Sequence, residues 1–367
     1  MATNLIDSLD AGYALPSDWY TDVGLYERER ALILHRSWQF VGQTGDLSET
    51  GDRITSEVCG VPVVLIRRTP DEICGFVNIC GNRTHPVARG PGRSEQLDCS
   101  CGSIYDLQGI ERQSPSGTRD VRDGSKPVLA PIQVAVWGPM IWANLDADAQ
   151  SFDAWTNGLP DLVASHGVEI EEHVHTLERE WTIRANWKVF LDNAVECYHC
   201  PTCHPALSQV IETDPDLHVT TPAGPYRITS ETPFKNGAWQ KYYGMDQSLD
   251  NGAEPLYRFH WIFPTTYLQY KGSADFEIGT IRPLAVDEIS FRHMIFMPVD
   301  TSEEAIARRK LSLDTGTTVD EDIAICERVQ IAHRAAAVPP GRLLPRSEEA
   351  VIHFQRTILE TMSGARA

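Results

Sequence analysis

The chain has 367 residues, 42% hydrophobic and 23% charged, and a formal net charge of −19. That length points to two domains, and the balance is that of a globular protein able to fold around its own core. No run of lysine and arginine appears, so nucleic acid and anionic membranes are excluded as natural partners. The plain reading of the acidity is solubility. The sharper one is a field that tolerates neutral or cationic small molecules.

Residues 1–20 contain neither the basic nor the apolar region of a signal peptide. The longest apolar stretch, 134–145, is broken by Gly138-Pro139 and is too short to span a bilayer. The nine cysteines are odd in number. Without an export signal they are expected as reduced thiols in a cytoplasm, serving as ligands or small core residues rather than disulfide partners.

In chain order, residues 1–37 read as a lead-in with one helix over 25–37. From 38 to 150 short alternating runs appear, such as Val61-Pro62-Val63-Val64-Leu65-Ile66 and Val134-Ala135-Val136-Trp137. Gly90-Pro91-Gly92 and Gly138-Pro139 punctuate them, as in a small all-β domain. Residues 151–367 are mixed. Helical periodicity covers 187–198, and a hairpin is expected from 276–281 and 289–294 around a turn at 285–288. The segment 302–362 reads as mostly helical, interrupted near Pro339-Pro340-Gly341. The fold class is therefore α+β, an all-β domain followed by an antiparallel sheet with a long C-terminal helix.

The strongest chemical signal is Glu196-Cys197-Tyr198-His199-Cys200-Pro201-Thr202-Cys203-His204-Pro205. Five residues apart on a regular helix, His199 and His204 would diverge by about 140°. Pro201 disfavours helical geometry at Cys200, so a helix is expected to end near His199 and leave His204 on a loop that swings back. A third ligand is offered by the later helix, where Val319, Asp322, Cys326, Val329 and His333 share one face. Asp322 is an acid on an apolar stripe, which is costly unless it is paired or bound to a cation. The competing reading makes it a salt-bridge partner, with His333 as the candidate. Two imidazoles and a carboxylate leave open positions that suit Fe(II) and O₂; zinc on the same ligands would favour hydrolysis. Glu196, three residues before His199, can orient that imidazole or remain a surface acid.

Asn186-Trp187-Lys188, Asp192-Asn193, Glu196-Cys197-Tyr198-His199, His204-Pro205 and the stretch from Glu321 to Glu327 together resemble the catalytic domain of Rieske non-heme iron oxygenases, the large subunits of ring-hydroxylating dioxygenases and related monooxygenases and N-demethylases. The resemblance implies a Rieske-like β domain and a helix-grip catalytic domain in a ring trimer. It implies His199, His204 and Asp322 as ligands of a mononuclear Fe(II), with O₂ as cosubstrate. It makes Glu196 the carboxylate that links the iron to an incoming electron donor. The expected reaction is hydroxylation, demethylation or another oxidation of a small molecule, with a ferredoxin or reductase as a possible electron source.

The same resemblance implies a [2Fe–2S] cluster on a Cys-x-His and Cys-x-x-His pattern. Here Cys80 is followed by Asn82 where the first histidine belongs, and Cys99-Ser100-Cys101 stands where the second pair belongs, without its histidine. Three readings stay open. The domain keeps its fold and has lost the cluster; or Cys80, Cys99 and Cys101, with His85 or another residue, hold a different metal centre; or an electron-transfer centre persists on unexpected ligands. The first of these is the expectation. It leaves electrons to come from a cluster-bearing partner subunit or from the substrate, and allows a rival function as a non-catalytic or regulatory subunit paired with an intact homologue.

Cys200-Pro201-Thr202-Cys203 has the form of a redox dithiol but lacks a leading strand, and is discounted. The aromatics Trp239, Tyr242, Tyr243, Trp261, Phe263, Tyr267 and Tyr270 are expected mainly as core.

Overall fold

In a computed structural model that describes residues 2–82, 84–114, 128–214, 217–235, 256–272, 275–337 and 339–364, the chain forms two compact units. One is residues 35–151; the other is residues 1–34 together with 152–367.

The smaller unit is all β. Strands β1 (Gln39–Gln43), β2 (Asp52–Val58), β3 (Val61–Thr69), β4 (Glu72–Val77), β5 (Gly92–Arg93), β9 (Pro131–Trp137) and β10 (Met140–Asn144) make one sheet in the order β1-β10-β9-β4-β3-β2-β5. Strands β6 (Gln96–Asp98), β7 (Ile104–Asp106) and β8 (Glu111–Gln113) make a second. The unbroken apolar run of β3 is explained by burial on both faces. Val64 and Ile66 enter one core with Cys80, Cys99 and Tyr105. Val63 and Leu65, pointing the other way along the pleat, enter another with Ile141 and Val58.

The larger unit is built on a seven-stranded antiparallel sheet. Its strands are β11 (His173–Ile183), β12 (Val219–Pro222), β13 (Arg227–Pro233), β14 (Leu256–Ile262), β15 (Thr266–Tyr270), β16 (Phe276–Ala285) and β17 (Glu288–Pro298), in the order β11-β17-β16-β15-β14-β13-β12. The expected hairpin is present but longer. Ala285 pairs with Glu288, which shrinks the connection to Val286-Asp287, a two-residue loop of the kind hairpins favour.

Helices Trp187–Ala194, Thr318–Ala335 and Glu349–Ser363 accompany this sheet, and Ala2–Asp10 packs against Glu349–Ser363. The lead-in helix spans Val23–Leu32 rather than 25–37. Asp22 caps it, accepting from the Leu25 N–H at 2.7 Å, and the chain then tightens into a 3₁₀ turn, Leu34–Arg36. This helix is anchored by a buried cluster in which Lys188 Nζ and Trp187 Nε1 donate to Glu29 at 2.7 and 2.9 Å. The fold is thus the expected combination of an all-β unit and an antiparallel sheet with long C-terminal helices. Among the described residues no helix is long and apolar enough to cross a membrane. Trp239, Tyr242 and Tyr243 lie outside the described residues.

Candidate metal centre

Asn186 sets the frame. Its side chain caps Trp187–Ala194 by accepting from the Lys188 N–H at 3.0 Å and donates to the Val286 carbonyl in the β16–β17 turn at 2.6 Å. Its backbone N–H donates to Gln330, on the helix Thr318–Ala335, at 2.9 Å. Two helices and the sheet are therefore joined at one residue.

The helix ends at Ala194, earlier than expected. The reason is Glu196, whose carboxylate accepts from the Tyr198 and His199 N–H groups at 2.7 and 3.4 Å. A side chain that caps the next turn competes with continuing the previous helix. A short helical turn, Cys200–Cys203, follows. Pro201 does not break it, because in a first turn its missing N–H has no partner to lose. The reversal therefore precedes His199 instead of following it. His204 lies just past the turn, with φ −120° and ψ 68°, and its ring swings back.

The two imidazoles meet with Nε2 atoms 3.0 Å apart. Asp322 Oδ1 lies 3.0 Å from His204 Nε2 and 3.5 Å from His199 Nε2, so all three expected ligands converge. The expected stripe on their helix is partly different. Cys326 and Gln330 continue the buried face, while Val329 is exposed. His333 does not pair with Asp322; it stacks on Tyr20 and contacts Ser17.

Each imidazole is also held from behind. Glu196 bonds His199 Nδ1, and Glu321 bonds His204 Nδ1 at 2.8 Å. Asn193 Nδ2 donates to Asp322 Oδ1 at 2.7 Å. A carboxylate behind the far nitrogen of a histidine fixes its tautomer and raises its basicity as a ligand. Sequence reasoning missed Glu321 and Asn193. The apolar stripe of this helix includes Asp322 but not Glu321, yet in a first turn aimed at the site both neighbours reach it. The only signal was the adjacent pair of acids.

The electrostatics favour positive charge here. Burial pulls the His199 imidazole down, but hydrogen bonds to Asp322 and Glu196 outweigh it and hold it at about 10. Burial pulls His204 down as well, but it is raised on balance by its bonds to Asp322 and Glu321. Asp322 is held below the usual carboxylate range, because bonds from both histidines overcome its burial. A cation at this point satisfies the same carboxylates without protonating the rings.

The cysteines depart from expectation. Cys197 and Cys200 form a disulfide with Cα atoms 5.1 Å apart, within the ordinary range for such a bond. The Cys200 N–H donates to the Cys197 carbonyl at 3.1 Å, a turn that brings the two side chains together. The Cys200–Cys203 dithiol does not form, and Cys203 is a free thiol. Cys200 Sγ is close to both imidazoles, but as a disulfide sulfur it is not a thiolate, and the oxygen beside both rings is that of Asp322.

The centre opens onto a cavity of about 230 Å³. Trp181, Phe190, Phe259, Tyr267 and Phe291 form an aromatic wall, most of it from one face of the sheet. A polar wall holds Glu277, which bonds Lys271 and Arg309 and, at 2.7 Å, His293. Gly279 pairs with Tyr267 across β15 and β16. A Cβ at Gly279 would stand 2.1 Å from the Tyr267 ring. Only a bare backbone lets that ring lie flat and its hydroxyl reach His293 Nδ1 at 3.1 Å.

In the β unit the altered positions also lie together. Donor atoms of Cys80, Cys99 and Cys101 fall within 4.8 Å of one another. Asn82 is turned aside, donating to Ser103 at 2.7 Å and Glu111 at 2.6 Å. His85 is exposed and outside the thiol group. A Rieske centre needs two imidazoles as well as two thiolates, and this donor set does not fit one.

Comparison with known proteins places these features. Residues 162–364 match the family described as ring hydroxylating alpha subunit (catalytic domain), and residues 37–126 match the Rieske [2Fe-2S] domain. The second match lends no support to the expectation that the cluster has been lost. The carnitine monooxygenase oxygenase subunit of Escherichia coli (strain K12) is 26% identical, covering 95% of this chain and 93% of its own length. The chloroplastic choline monooxygenase of Arabidopsis thaliana is 27% identical over 89% of this chain and 78% of its own. Among solved structures, a quaternary ammonium Rieske monooxygenase in complex with L-carnitine is similar with a TM-score of 0.76 at 20% identity, covering 95% of this chain and 96% of that one. Naphthalene 1,2-dioxygenase from Rhodococcus sp. is similar with a TM-score of 0.78 at 17% identity, over 100% of both chains.

Proposed function

The chain belongs to the ring-hydroxylating alpha-subunit family of Rieske oxygenases, and from that premise we propose that His199, His204 and Asp322 hold a mononuclear ferrous iron beside a pocket for a small quaternary ammonium compound. The family's activity is the oxidation of small molecules, and this chain is an oxidoreductase of that kind. The observation that carries the iron reading is the convergence of two carboxylate-backed imidazoles and Asp322 at the edge of an aromatic cavity.

Iron on these ligands supplies O₂ activation, and two histidines with one carboxylate leave positions free for it. The protein's own groups do the rest. Glu196 and Glu321 fix the two rings, and Asn193 fixes the Asp322 oxygen. Glu196, bonded to His199 on the side away from the ligand nitrogen, is the proposed entry point for electrons. The aromatic wall attracts a cation through the faces of its rings, and Glu196 and Asp322 add negative charge at one end. This substrate reading rests on that wall together with the carnitine and choline monooxygenases among the relatives. The proposed assembly is an oligomer, either a homotrimer or a complex with a homologue, fed by a ferredoxin or reductase. One related structure is described in terms of inter-subunit electron transfer.

The test is iron analysis followed by turnover. Protein loaded with Fe(II) and supplied with a reductase is offered choline, L-carnitine and an uncharged aromatic such as naphthalene. Oxidation of an ammonium compound, with iron retained at parity with protein, is the expected result. Turnover of the uncharged compound alone would overturn the substrate reading, and failure to retain iron would overturn the metal reading.

A further inference from the structure

Two tight loops of the β unit bring three thiols to one point. Cys80 follows β4, with its N–H bonded to the His85 carbonyl at 2.8 Å. Cys99 and Cys101 share the turn between β6 and β7, closed by the Gly102 N–H on the Cys99 carbonyl at 2.8 Å. Gly102 sits at φ 93°, a conformation that favours glycine. Cys80 Sγ and Cys101 Sγ are 3.6 Å apart. Thiolates bound at 2.3 Å to one tetrahedral ion lie about 3.8 Å from each other, so the spacing is that of ligands on a shared metal. It is also too long for a disulfide.

The surroundings suit thiolates. The Tyr105 hydroxyl lies 3.2 Å from Cys80 Sγ, where its O–H can stabilise a sulfur anion, and the Cys101 thiol donates to Ser103 Oγ at 3.3 Å. Cys80 and Cys99 are buried in the apolar core, and Cys101 packs against it. Asn82, in the position of an expected imidazole, is held by Glu111 and Ser103.

We propose that Cys80, Cys99 and Cys101 form a trithiolate site that holds a thiophilic metal centre, zinc or iron–sulfur, with Cys101 in place of an imidazole ligand. The site is thus a metal site with changed ligands, not a vacated one.

The test uses the full chain, purified without oxygen, with zinc, iron and acid-labile sulfide measured together with X-ray absorption at the bound metal. His199→Ala removes the separate iron contribution. Zinc without sulfide identifies a zinc site, and sulfide with thiolate-dominated spectra identifies an iron–sulfur site. Either supports the proposal if Cys101→Ser abolishes the binding and His85→Ala does not. Should Cys101→Ser fail to fold, the wild type still decides: sulfur-dominated coordination, and thiols that react only after a chelator is added, are the expected results. Nitrogen coordination, a Cys101→Ser protein that keeps its metal, a metal-free β unit or a Cys80–Cys101 disulfide would each overturn it.

Discussion

The two regions of this chain that gather metal-ligating side chains do so with different donor atoms. In the larger unit the imidazoles are present and each is backed by a carboxylate, Glu196 behind His199 and Glu321 behind His204. In the β unit Asn82 stands at one expected imidazole position and Cys101 nearest the other, and the thiols of Cys80, Cys99 and Cys101 lie together. The difference teaches that a fold can be kept at full length while its donor atoms change. Val64 and Ile66 still pack against Cys80 and Cys99, because packing answers to shape and apolarity rather than to the metal.

The contrast can be broken most sharply at Asp322. Asp322→Ala is expected to abolish iron binding and turnover while leaving metal in the β unit unchanged; elemental analysis of the variant checks it. Loss of both metals would mean that the two regions are not independent. A smaller effect is expected at Glu321. Glu321→Ala removes the support behind His204 and should weaken iron retention by about 10–100-fold, read by competition with a chelator. An effect as large as that of Asp322→Ala would make Glu321 a direct ligand.

Gly279→Ala pushes on the Tyr267 ring and should cost about 1–3 kcal/mol of stability in the larger unit. It should also raise KM more than it lowers kcat, because it narrows the pocket without touching the ligands. The smallest effect concerns Asp192, whose carboxylate accepts from Tyr20 and Gln355 at 2.7 and 3.1 Å. Burial pushes this group up to about 7, against the pull of those bonds. Between its unfolded value near 4 and about 7 the folded chain keeps a proton that the unfolded chain releases, so stability falls as pH rises through that window. Asp192→Asn should flatten the slope, by at most about 1.4 kcal/mol per pH unit, in denaturant titrations at several pH values. An unchanged slope would show that the carboxyl is already ionised in the native state.

Much of the fold was legible because its signals are local. The hairpin of β16 and β17 follows from alternation, although its strands run on until only Val286-Asp287 separates them. Asp322 was legible because an acid on an apolar stripe is costly without a partner or a cation, and His199 and His204 were legible through their spacing around Pro201 and the family resemblance. Glu321 was not, since a helical wheel treats the first turn of a helix like its middle. The break before His199 was misplaced because Pro201 is a strong punctuation mark, whereas a capping Glu196 gives no mark until its hydrogen bonds are seen. The Cys197–Cys200 disulfide escaped because an odd cysteine count says nothing about which pairs a turn will bring together.

Asn186 carries one further consequence. It clasps a helix start, a hairpin turn and a second helix through bonds to Lys188, Val286 and Gln330, none of which is a metal ligand. The helix that leads into the histidine turn, the hairpin and the helix that carries Asp322 are thus joined by the polypeptide itself. A centre framed in this way is expected to act as a socket rather than a rivet: removing the iron should leave the circular dichroism of the chain unchanged, and adding it back should restore binding without a refolding step.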